Sequence, residues 1–449
     1  MAARVLRRGA AAATTSGLTR TGAETRVATY LHKGDVGEGV GVSPIGSRFN
    51  RAMRIEKRFF PENRRKWRAN FPNLRSSLAT FVGPENMSTT QLPFVVEPHS
   101  SPTPADQITD RLTNPVFGRV FTDHMVTIRW TEDKGWHDAK VGARRPFQID
   151  PACAVLHYAQ EIFEGMKAYR SDDGKISLFR PRENAKRFRA SAARMSMADL
   201  PESVFLQAIE QLVDIDRAWI PGGDGSLYIR PFMFAAETFL GVRAASEYIF
   251  CVIACPVGPY FKGGKSAVTV WVSDQYTRAA PGGTGSAKCG GNYAASLIAQ
   301  TEASAKGCDQ VVFLDAAEHR WIEELGGMNV FFVMDDGSLL TPPLSGTILP
   351  GITRASIIEL AKHEGLAVNE APYEFAAWKA DSASGRVKEA FACGTAAVVT
   401  AIGQVRYAGG EFTIGNGSEG DVTQRLRTLL TGIQRGKVAD PFGWVHHIQ

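Results

Sequence analysis

The sequence predicts an α/β protein with two folded domains, a small α+β domain followed by a larger α/β domain. Its 449 residues suit two or three domains of ordinary size. An apolar fraction of 44% and a charged fraction of 22% are typical of a globular chain with a sizeable core. From about residue 104 onward, strand-like runs alternate with helical patterns, which indicates mixed structure over most of the chain.

We expect four regions along the chain: an N-terminal extension (1–86), the small domain (87–257), a linker (258–264) and the large domain (265–449). The linker prediction depends on Gly258-Pro-Tyr-Phe-Lys-Gly-Gly264, which is rich in turn-forming residues. A P-loop is excluded there, because the first glycine lies one residue too far from Lys265 and a strand pattern follows where a helix is required.

The N-terminal extension is strongly basic and shows no sustained amphipathic period. Residues 1–86 contain 16 Lys and Arg against six Asp and Glu, whereas the remainder contains 35 basic and 40 acidic residues. Three interpretations stay open: an organelle transit peptide, a segment that contacts nucleic acid through Arg64-Arg-Lys-Trp-Arg68, or residues upstream of a true start at Met87. The mildly acidic remainder argues against a body built to bind nucleic acid.

In the small domain, the spacing of apolar residues predicts strands and helices in alternation. Residues 121–130 alternate as in a strand, and a turn follows at Asp133-Lys-Gly135. A helix over 202–219 ends before Pro221-Gly-Gly223, because neither proline nor glycine favours its continuation. The remaining predictions are strands at 174–179, 226–232 and 248–255 and a helix at 184–193.

The large domain continues the same alternation. A helix over 292–306 is closed by Gly307, and a second helix over 353–363 stops at Gly365. Apolar runs predict strands at 268–272, 310–314 and 330–334, and residues 390–397 read as a strand that runs into a Gly-Thr turn.

A lysine in a glycine-rich stretch is the first sign of chemistry. Lys288 lies within Pro281-Gly-Gly-Thr-Gly-Ser-Ala-Lys-Cys-Gly-Gly-Asn-Tyr293, directly before a helical run. Glycines allow a shaped turn and close approach of a ligand, so this lysine suits Schiff-base chemistry with a carbonyl cofactor such as pyridoxal phosphate. The alternative is a flexible glycine-rich loop in which the lysine has no chemical role.

Other classes of site find little support. The six cysteines, at 153, 251, 255, 289, 308 and 393, contain no C-x-x-C pair, so we expect neither a metal site nor a disulfide framework, and a reducing compartment. The longest apolar runs are too short to cross a bilayer, so we expect no membrane partner.

From about Thr109 onward, the chain closely resembles the branched-chain amino-acid aminotransferases of bacteria, and actinobacterial members in particular. The motifs that carry this resemblance are Phe121-Thr-Asp-His-Met125, Phe163-Glu-Gly-Met-Lys-Ala-Tyr169, Gly285-Ser-Ala-Lys-Cys-Gly-Gly-Asn-Tyr293, Glu324-Leu-Gly-Gly-Met-Asn329, Leu349-Pro-Gly-Ile-Thr353 and Cys393-Gly-Thr-Ala396. Residues 1–86 have no counterpart in it.

The resemblance implies a fold type IV, D-amino-acid-aminotransferase-like architecture with pyridoxal 5'-phosphate as cofactor. It implies transfer of the amino group of leucine, isoleucine or valine to 2-oxoglutarate, in the biosynthesis or degradation of these amino acids. It also implies a homodimer in which a partner loop completes the site. We expect a cytoplasmic location, or the mitochondrial matrix if residues 1–86 hold a genuine transit peptide.

The resemblance also implies roles for cofactor-binding residues. Lys288 matches the Schiff-base lysine that shuttles the proton, which requires a pKa below the ordinary ~10.4 of lysine. Glu324 matches the partner of the pyridine nitrogen, although Glu323 is an equal candidate without the family register. Tyr293 matches the partner of the ring oxygen O3′.

A second group of matches concerns the phosphate. Arg187 matches the phosphate arginine, although Arg180, Arg182 and Arg189 crowd the same run and bare counting does not separate them. Ile352 and Thr353 begin a predicted helix, where free N–H groups and the helix dipole attract an anion. Thr395 would add a hydroxyl.

The substrate pocket matches seven further positions. An aromatic cage favours branched apolar side chains by burial, at roughly 0.8 kcal/mol per methylene, and a hydroxyl or guanidinium would admit the glutamate carboxylate. Backbone groups of two further residues would hold the α-carboxylate. The aromatic and arginine positions are Phe117, Tyr158, Phe163, Tyr228 and Arg230, and the backbone positions are Gly327 and Ala396.

One departure and two rivals bear on the interpretation. Some mitochondrial relatives carry a redox-sensing C-x-x-C after the Gly-Thr turn, whereas this chain has Ala397 and Thr400 there, so no thiol switch is expected. Within the same fold, the alternative function is that of a D-amino-acid aminotransferase or an aminodeoxychorismate lyase. Outside this fold, the alternative is a non-enzymatic binding protein that uses the basic extension.

Overall fold

The computed structural model describes residues 91–258 and 266–448. These residues belong to one compact unit of the chain. The predicted extension at 1–86 and residues 259–264 of the predicted linker lie outside the described residues.

Helices and strands alternate along the described chain. The α-helices are α1 Ala105–Thr113, α2 Ala154–Tyr158, α3 Pro181–Arg194, α4 Glu202–Ile215, α5 Gly290–Ala305, α6 Ile352–His363, α7 Phe375–Ser384 and α8 Asp421–Gln434. The strands before the predicted linker are β1 Val95–Val96, β2 His124–Thr131, β3 Gly135–Ala143, β4 Glu161–Phe163, β5 Met166–Arg170, β6 Ile176–Phe179, β7 Ser226–Ala235 and β8 Glu247–Val257. The strands after it are β9 Val268–Ser273, β10 Gln310–Leu314, β11 Ile322–Leu325, β12 Asn329–Met334, β13 Leu339–Thr341, β14 Val368–Glu370, β15 Val387–Gly394, β16 Val398–Tyr407, β17 Gly410–Thr413 and β18 Val445–Ile448.

The first sheet is built mainly from strands that precede the predicted linker. Its order is β1-β3-β2-β8-β7-β5-β6-β18, with β4 paired to β7. Helices α3 and α4 cover one face, where the rings of Phe188, Phe205 and Phe250 pack within 5.3–5.9 Å of one another. The last strand, β18, comes from the end of the chain and pairs antiparallel with β6, so the chain terminus returns to the first sheet.

The second sheet is mixed, with order β11-β10-β9-β16-β15-β12-β13-β14 and β17 paired to β16. Strand β9 runs parallel to both of its neighbours, whereas β15 runs antiparallel to β12 and β16. Helix α7 buries Trp378 against Phe332 on one face, and the stacked rings of Phe331 and Phe391 join the core beneath α6 and α8 on the other.

The predicted mixed architecture is confirmed, and most predicted elements are present within a few residues of their expected bounds. One long predicted helix is shorter: α4 ends at Ile215, and a short 3₁₀ helix, Arg217–Trp219, follows. The break coincides with Asp216, whose carboxylate accepts hydrogen bonds from the ring and the backbone N–H of His124. The division into small and large domains stays a prediction.

No helix within residues 91–258 and 266–448 combines the length and the apolar character that a membrane crossing requires.

Candidate functional site

The loop that carries Lys288 is held in place from both ends. Asn292, in the first turn of α5, donates hydrogen bonds to the carbonyl oxygens of Thr284 and Ala287, both at 2.8 Å. The backbone N–H of Lys288 donates to the Ser191 hydroxyl at 2.9 Å. At Gly285 an added Cβ would lie 2.2 Å from the Thr347 carbonyl oxygen, so only glycine fits this approach.

The amino group of Lys288 lies in a buried aromatic setting. Its Nζ donates to the Tyr293 hydroxyl at 2.6 Å and lies 4.7 Å from the centre of the Phe163 ring. Burial, helped by the nearby Arg187 charge, lowers the pKa of Lys288 to about 8. A lysine with this pKa exchanges a proton near neutral pH, as a general base requires.

Tyr293 stays protonated at neutral pH, because burial raises the pKa of its hydroxyl to about 12. The Glu324 charge adds to this rise. Glu324 follows Glu323 on strand β11, so the two side chains point to opposite faces of the sheet. Its neighbour Glu323 instead accepts a hydrogen bond from the Thr347 hydroxyl. The geometry therefore favours Glu324 over Glu323 as the acid of the site.

Glu324 is almost fully buried and accepts hydrogen bonds from three residues. Arg278 Nε donates to its Oε1 at 2.8 Å, the Leu349 N–H donates to Oε1 at 2.9 Å, and Asn329 Nδ2 donates to Oε2 at 3.3 Å. Burial raises the pKa of Glu324 to about 7, against the lowering effect of the Arg278 charge. A carboxylate fixed in this way can accept a further proton or a cationic N–H group.

Arg187 projects from α3 and forms a bidentate pair with Glu164. Its Nε and Nη2 donate to the two carboxylate oxygens at 2.7 and 2.9 Å, and Nη1 donates to the Pro350 carbonyl at 3.1 Å. Burial alone would raise the pKa of Glu164, but the charge and hydrogen bonds of Arg187 hold it below its usual range. A guanidinium has five N–H groups, so Arg187 keeps two for a ligand.

The neighbouring arginines are engaged elsewhere. Arg180 donates to the Ser356 hydroxyl at 3.0 Å and lies over Trp444, and Arg189 pairs with Asp199 at the surface. Arg182 is exposed. Arg187 is therefore the arginine of this run that reaches the segment before α6.

The N-terminus of α6 is a candidate anion-binding cup, because no side chain of the described residues caps it and its N–H groups and helix dipole favour an anion. Its first residues, Ile352 and Thr353, line a small cavity together with Thr395 from the β15–β16 turn. Asn329 joins this cup to the acid of the site, since its amide also donates to the Leu349 carbonyl at 3.1 Å.

The predicted substrate positions fall into two groups. Phe163, Tyr228 and Arg230 lie together: Arg230 donates to the Tyr228 hydroxyl at 3.0 Å and its guanidinium lies 4.7 Å from the Phe163 ring centre. Phe117, 54% exposed, packs edge-on against Tyr228 at 5.1 Å. Tyr158 differs, because its hydroxyl donates to the Leu240 carbonyl at the surface.

The predicted backbone positions lie beside this group. A Cβ on Gly327 would lie 3.9 Å from the Tyr293 ring, and the Gly327 carbonyl oxygen faces Gly394 at the start of the turn. Ala396 occupies the middle of that turn. Both therefore adjoin the side of the site that faces the β15–β16 hairpin.

Sequence reasoning missed the residues that hold the site together. Glu164 and Lys167 were visible only as members of the Phe163–Tyr169 motif, and an acid between an aromatic residue and a glycine was the available signal for Glu164. Arg278 lies ten residues before the lysine, and no local pattern marked it. Its role depends on a partner 46 residues away.

The donor set fits pyridoxal phosphate. The uncapped α6 N-terminus, two free N–H groups of Arg187 and the Thr395 hydroxyl suit a phosphate. Glu324 suits a pyridine nitrogen, and Lys288 supplies the amine.

Comparison with known proteins identifies the family. The family described as Amino-transferase class IV matches residues 161–405. A probable branched-chain-amino-acid aminotransferase of Streptomyces coelicolor is 55% identical over 337 residues, which are 75% of this chain and 93% of the relative. The branched-chain-amino-acid aminotransferase of Mycolicibacterium smegmatis is 51% identical over 364 residues, which are 80% of this chain and 99% of the relative.

Solved structures agree with the predicted fold type. The branched-chain amino acid aminotransferase of Escherichia coli has a TM-score of 0.59 at 28% identity, and the likeness covers 72% of this chain and 99% of that one. A second branched-chain amino acid aminotransferase, solved with pyridoxamine 5'-phosphate, gives the same TM-score and identity over 72% of this chain and 98% of its own. The chain therefore belongs to the class IV aminotransferases and, within them, to the branched-chain-amino-acid aminotransferases.

Proposed function

We propose that this aminotransferase uses pyridoxal 5'-phosphate to exchange the amino group between leucine, isoleucine or valine and 2-oxoglutarate. The observation that carries the proposal is the environment of Lys288: a buried amine with a pKa of about 8, 2.6 Å from a protonated tyrosine. The names of the relatives support the substrate class. The pyridoxamine 5'-phosphate in the second solved structure supports the cofactor.

Each end of the cofactor has a set of residues that would hold it. Arg187, the N–H groups of Ile352 and Thr353 and the Thr395 hydroxyl would bind the phosphate. Glu324 would accept the N–H of the ring, and the Tyr293 hydroxyl would contact the ring oxygen. Bound there, pyridoxal phosphate supplies an aldehyde for the amino group and a ring that withdraws electrons.

Lys288 is the group that would move the proton. Burial and the Arg187 charge disfavour its ammonium form, so near neutral pH a larger fraction of Lys288 is the free amine that can accept a proton. The Tyr293 hydroxyl keeps its own proton and orients the amine through their hydrogen bond. Lys288 would therefore take the proton from the substrate α-carbon and deliver it to the aldehyde carbon of the cofactor, which the amino nitrogen separates from the α-carbon.

The pocket would accept two unlike side chains. The rings of Phe163 and Tyr228, with Phe117 at the exposed edge, offer apolar surface to a branched side chain. Arg230, whose Nε lacks a hydrogen-bond partner among the described residues, offers a cation to the side-chain carboxylate of glutamate. The N–H groups near Gly327 and Ala396 would hold the α-carboxylate.

We further propose a homodimer. Several large apolar side chains are exposed, and Val242 is 87% exposed, which is unusual for a protein that works alone. Ten of these exposed side chains are Val116, Phe117, Phe147, Ile149, Leu156, Phe239, Leu240, Val242, Leu297 and Ile298. A second copy of the chain would cover them and bring its loop near Leu240 to the site. The cytoplasmic location stays a prediction.

The test is the absorption spectrum and the turnover of purified protein with pyridoxal phosphate. Wild type should be yellow, lose this absorbance on addition of leucine and transaminate leucine but not D-alanine. Lys288→Ala should lose both properties, whereas Lys306→Ala, which removes an exposed lysine beyond α5, should keep them. Turnover by Lys288→Ala at the wild-type rate would refute the proposal, and turnover of D-alanine would favour the D-amino-acid enzyme.

A further inference from the structure

Lys167 reaches from one sheet to the other. It lies on β5 of the first sheet, and its Nζ donates to the Ala396 carbonyl oxygen in the β15–β16 turn of the second sheet at 2.8 Å. Burial and the nearby Arg435 charge lower the pKa of Lys167 to about 8. Burial of a charged lysine is energetically unfavourable, so its ammonium group needs a hydrogen-bond partner that compensates for the lost water.

Among the described residues no carboxylate pairs with Lys167, whose pKa is shifted by burial and by the Arg435 charge, and the contact that its ammonium makes is the hydrogen bond to Ala396. Lys167 lines the same small cavity as Ile352, Thr353 and Thr395. The lysine therefore borders the same cavity as the anion cup and binds the turn that contributes Thr395.

That turn has a strained backbone. Residues 395–397 connect two strands whose last pair is Gly394 with Val398. Val398 has φ of +62°, a left-handed conformation that a β-branched side chain adopts only when its surroundings enforce it. Met328 and Gly327 support the turn from one side, since a Cβ on Gly394 would meet them at 3.1–3.4 Å. Lys167 supports it from the other sheet.

We propose that Lys167 is a positioning residue: its hydrogen bond to Ala396 holds the 395–397 turn in the conformation that presents Thr395 and the Ala396 N–H to the anions of the site. This inference rests on the proposed function of that site. The lysine acts on the substrate and cofactor through the turn and through its positive charge beside the same cavity.

A cation suits this position better than a neutral donor. A charged donor makes a stronger hydrogen bond to a carbonyl than a neutral one. The Arg187 charge is already balanced by its bidentate pair with Glu164, so Lys167 adds positive charge beside the cup without a carboxylate to cancel it. The same side chain thus orients the turn and favours an anion next to it.

The direct test uses cofactor-free protein and amide hydrogen exchange. Lys167→Met keeps the length of the side chain and removes the donor, so the amides of residues 394–399 should exchange about tenfold faster than in wild type. Lys167→Arg, which keeps a long cationic donor, should restore much of the protection. Lys175→Met, which removes the exposed lysine of the β5–β6 turn, should leave this segment unchanged.

The second readout separates positioning from folding. In Lys167→Met, KM for leucine and for 2-oxoglutarate and the dissociation constant of pyridoxal phosphate should each rise about tenfold, with a smaller change in kcat. Lys167→Arg should recover most of this loss. Unchanged exchange at 394–399, or a lower kcat and melting temperature with KM and cofactor affinity intact, would overturn the inference.

The two proposals fail in different ways. If wild type transaminates none of the branched-chain amino acids, the proposed function fails, whereas the exchange measurement still decides whether Lys167 holds the turn. If wild type transaminates leucine and Lys167→Met matches it in exchange, KM and cofactor affinity, only the role of Lys167 is refuted.

Discussion

The buried pair of Glu164 and Arg187 offers a sharp test of how the site is built. Glu164 is fully buried, and each of its oxygens accepts a hydrogen bond from the guanidinium. One oxygen also accepts from Asn184 Nδ2 at 2.7 Å and from the Gly165 N–H at 3.1 Å. In Glu164→Gln, an amide NH₂ group takes the place of one acceptor oxygen. The N–H groups that donated to that oxygen then face another donor.

The expected loss of stability comes from the buried Arg187 charge, which Glu164→Gln leaves without its partner. Removing one partner of a buried ion pair destabilises a protein by about 3–5 kcal/mol, because the other charge stays buried and unpaired. The 9% exposure of Arg187 offers little water to replace the lost partner. We therefore expect the free energy of unfolding to fall by about 3 kcal/mol in Glu164→Gln, with weaker binding of pyridoxal phosphate because the guanidinium loses its orientation.

The assay is reversible urea denaturation of cofactor-free protein, with a double-mutant cycle. Arg187→Met in the Glu164→Gln background should recover at least about half of the lost stability, because no unpaired charge then remains. Glu183→Gln, which removes a partly exposed carboxylate paired with Lys186 on the same helix, should stay within about 0.5 kcal/mol of wild type. Wild-type stability of Glu164→Gln, or strictly additive losses in the double variant, would refute the reasoning.

Three further predictions concern other parts of the chain. The folded pKa of Lys288 is about 8 against an ordinary 10.5, so the rate at which cofactor-free protein binds pyridoxal phosphate, followed by stopped-flow absorbance, should increase as pH rises through 8. Because the folded state binds this proton less tightly than the unfolded state, the contribution of Lys288 to stability increases between pH 8 and 10.5. A binding rate that does not change with pH would contradict the assignment. Gly285→Ala places a methyl group 2.2 Å from the Thr347 carbonyl oxygen and should lower the free energy of unfolding, measured by urea denaturation, by about 1–3 kcal/mol. Gly291→Ala, with nothing within 4 Å of the added carbon, should leave this free energy unchanged or raise it. Equal effects of the two substitutions would be inconsistent with the close approach at Gly285. Val242→Glu should weaken the proposed dimer in analytical ultracentrifugation, because it places a charge where an 87%-exposed apolar side chain would be covered; unchanged sedimentation would remove Val242 from the interface.

The elements that could be predicted from the sequence are those set by local rules. The helix expected at 292–306 spans Gly290–Ala305, and the strand expected at 310–314 has those bounds. The strand expected at 174–179 begins only at Ile176, because Gly174, with φ of +82°, belongs to the preceding turn. Periodicity located the elements, and turn geometry moved their ends by a few residues.

The candidate site could be predicted only in part. Lys288 and Tyr293 are five residues apart in one motif, and their contact follows from the helix that begins between them. Neither the pairing of Arg278 with Glu324 nor that of Arg187 with Glu164 can be read from spacing, since each joins residues on different elements. These partners set the pKa values of the site, so its electrostatics were not predictable from the motifs.

The sequence by itself determined the alternation of elements and the order of the candidate site residues along the chain, because these depend on local propensity and on motifs of a few residues. The tertiary structure decided which residues support them. It brought β18 back to the first sheet, placed Lys167 against the Ala396 carbonyl and buried Glu164 beside Arg187. Burial and charge pairing act between residues that are distant in the chain, and only the folded arrangement specifies those distances.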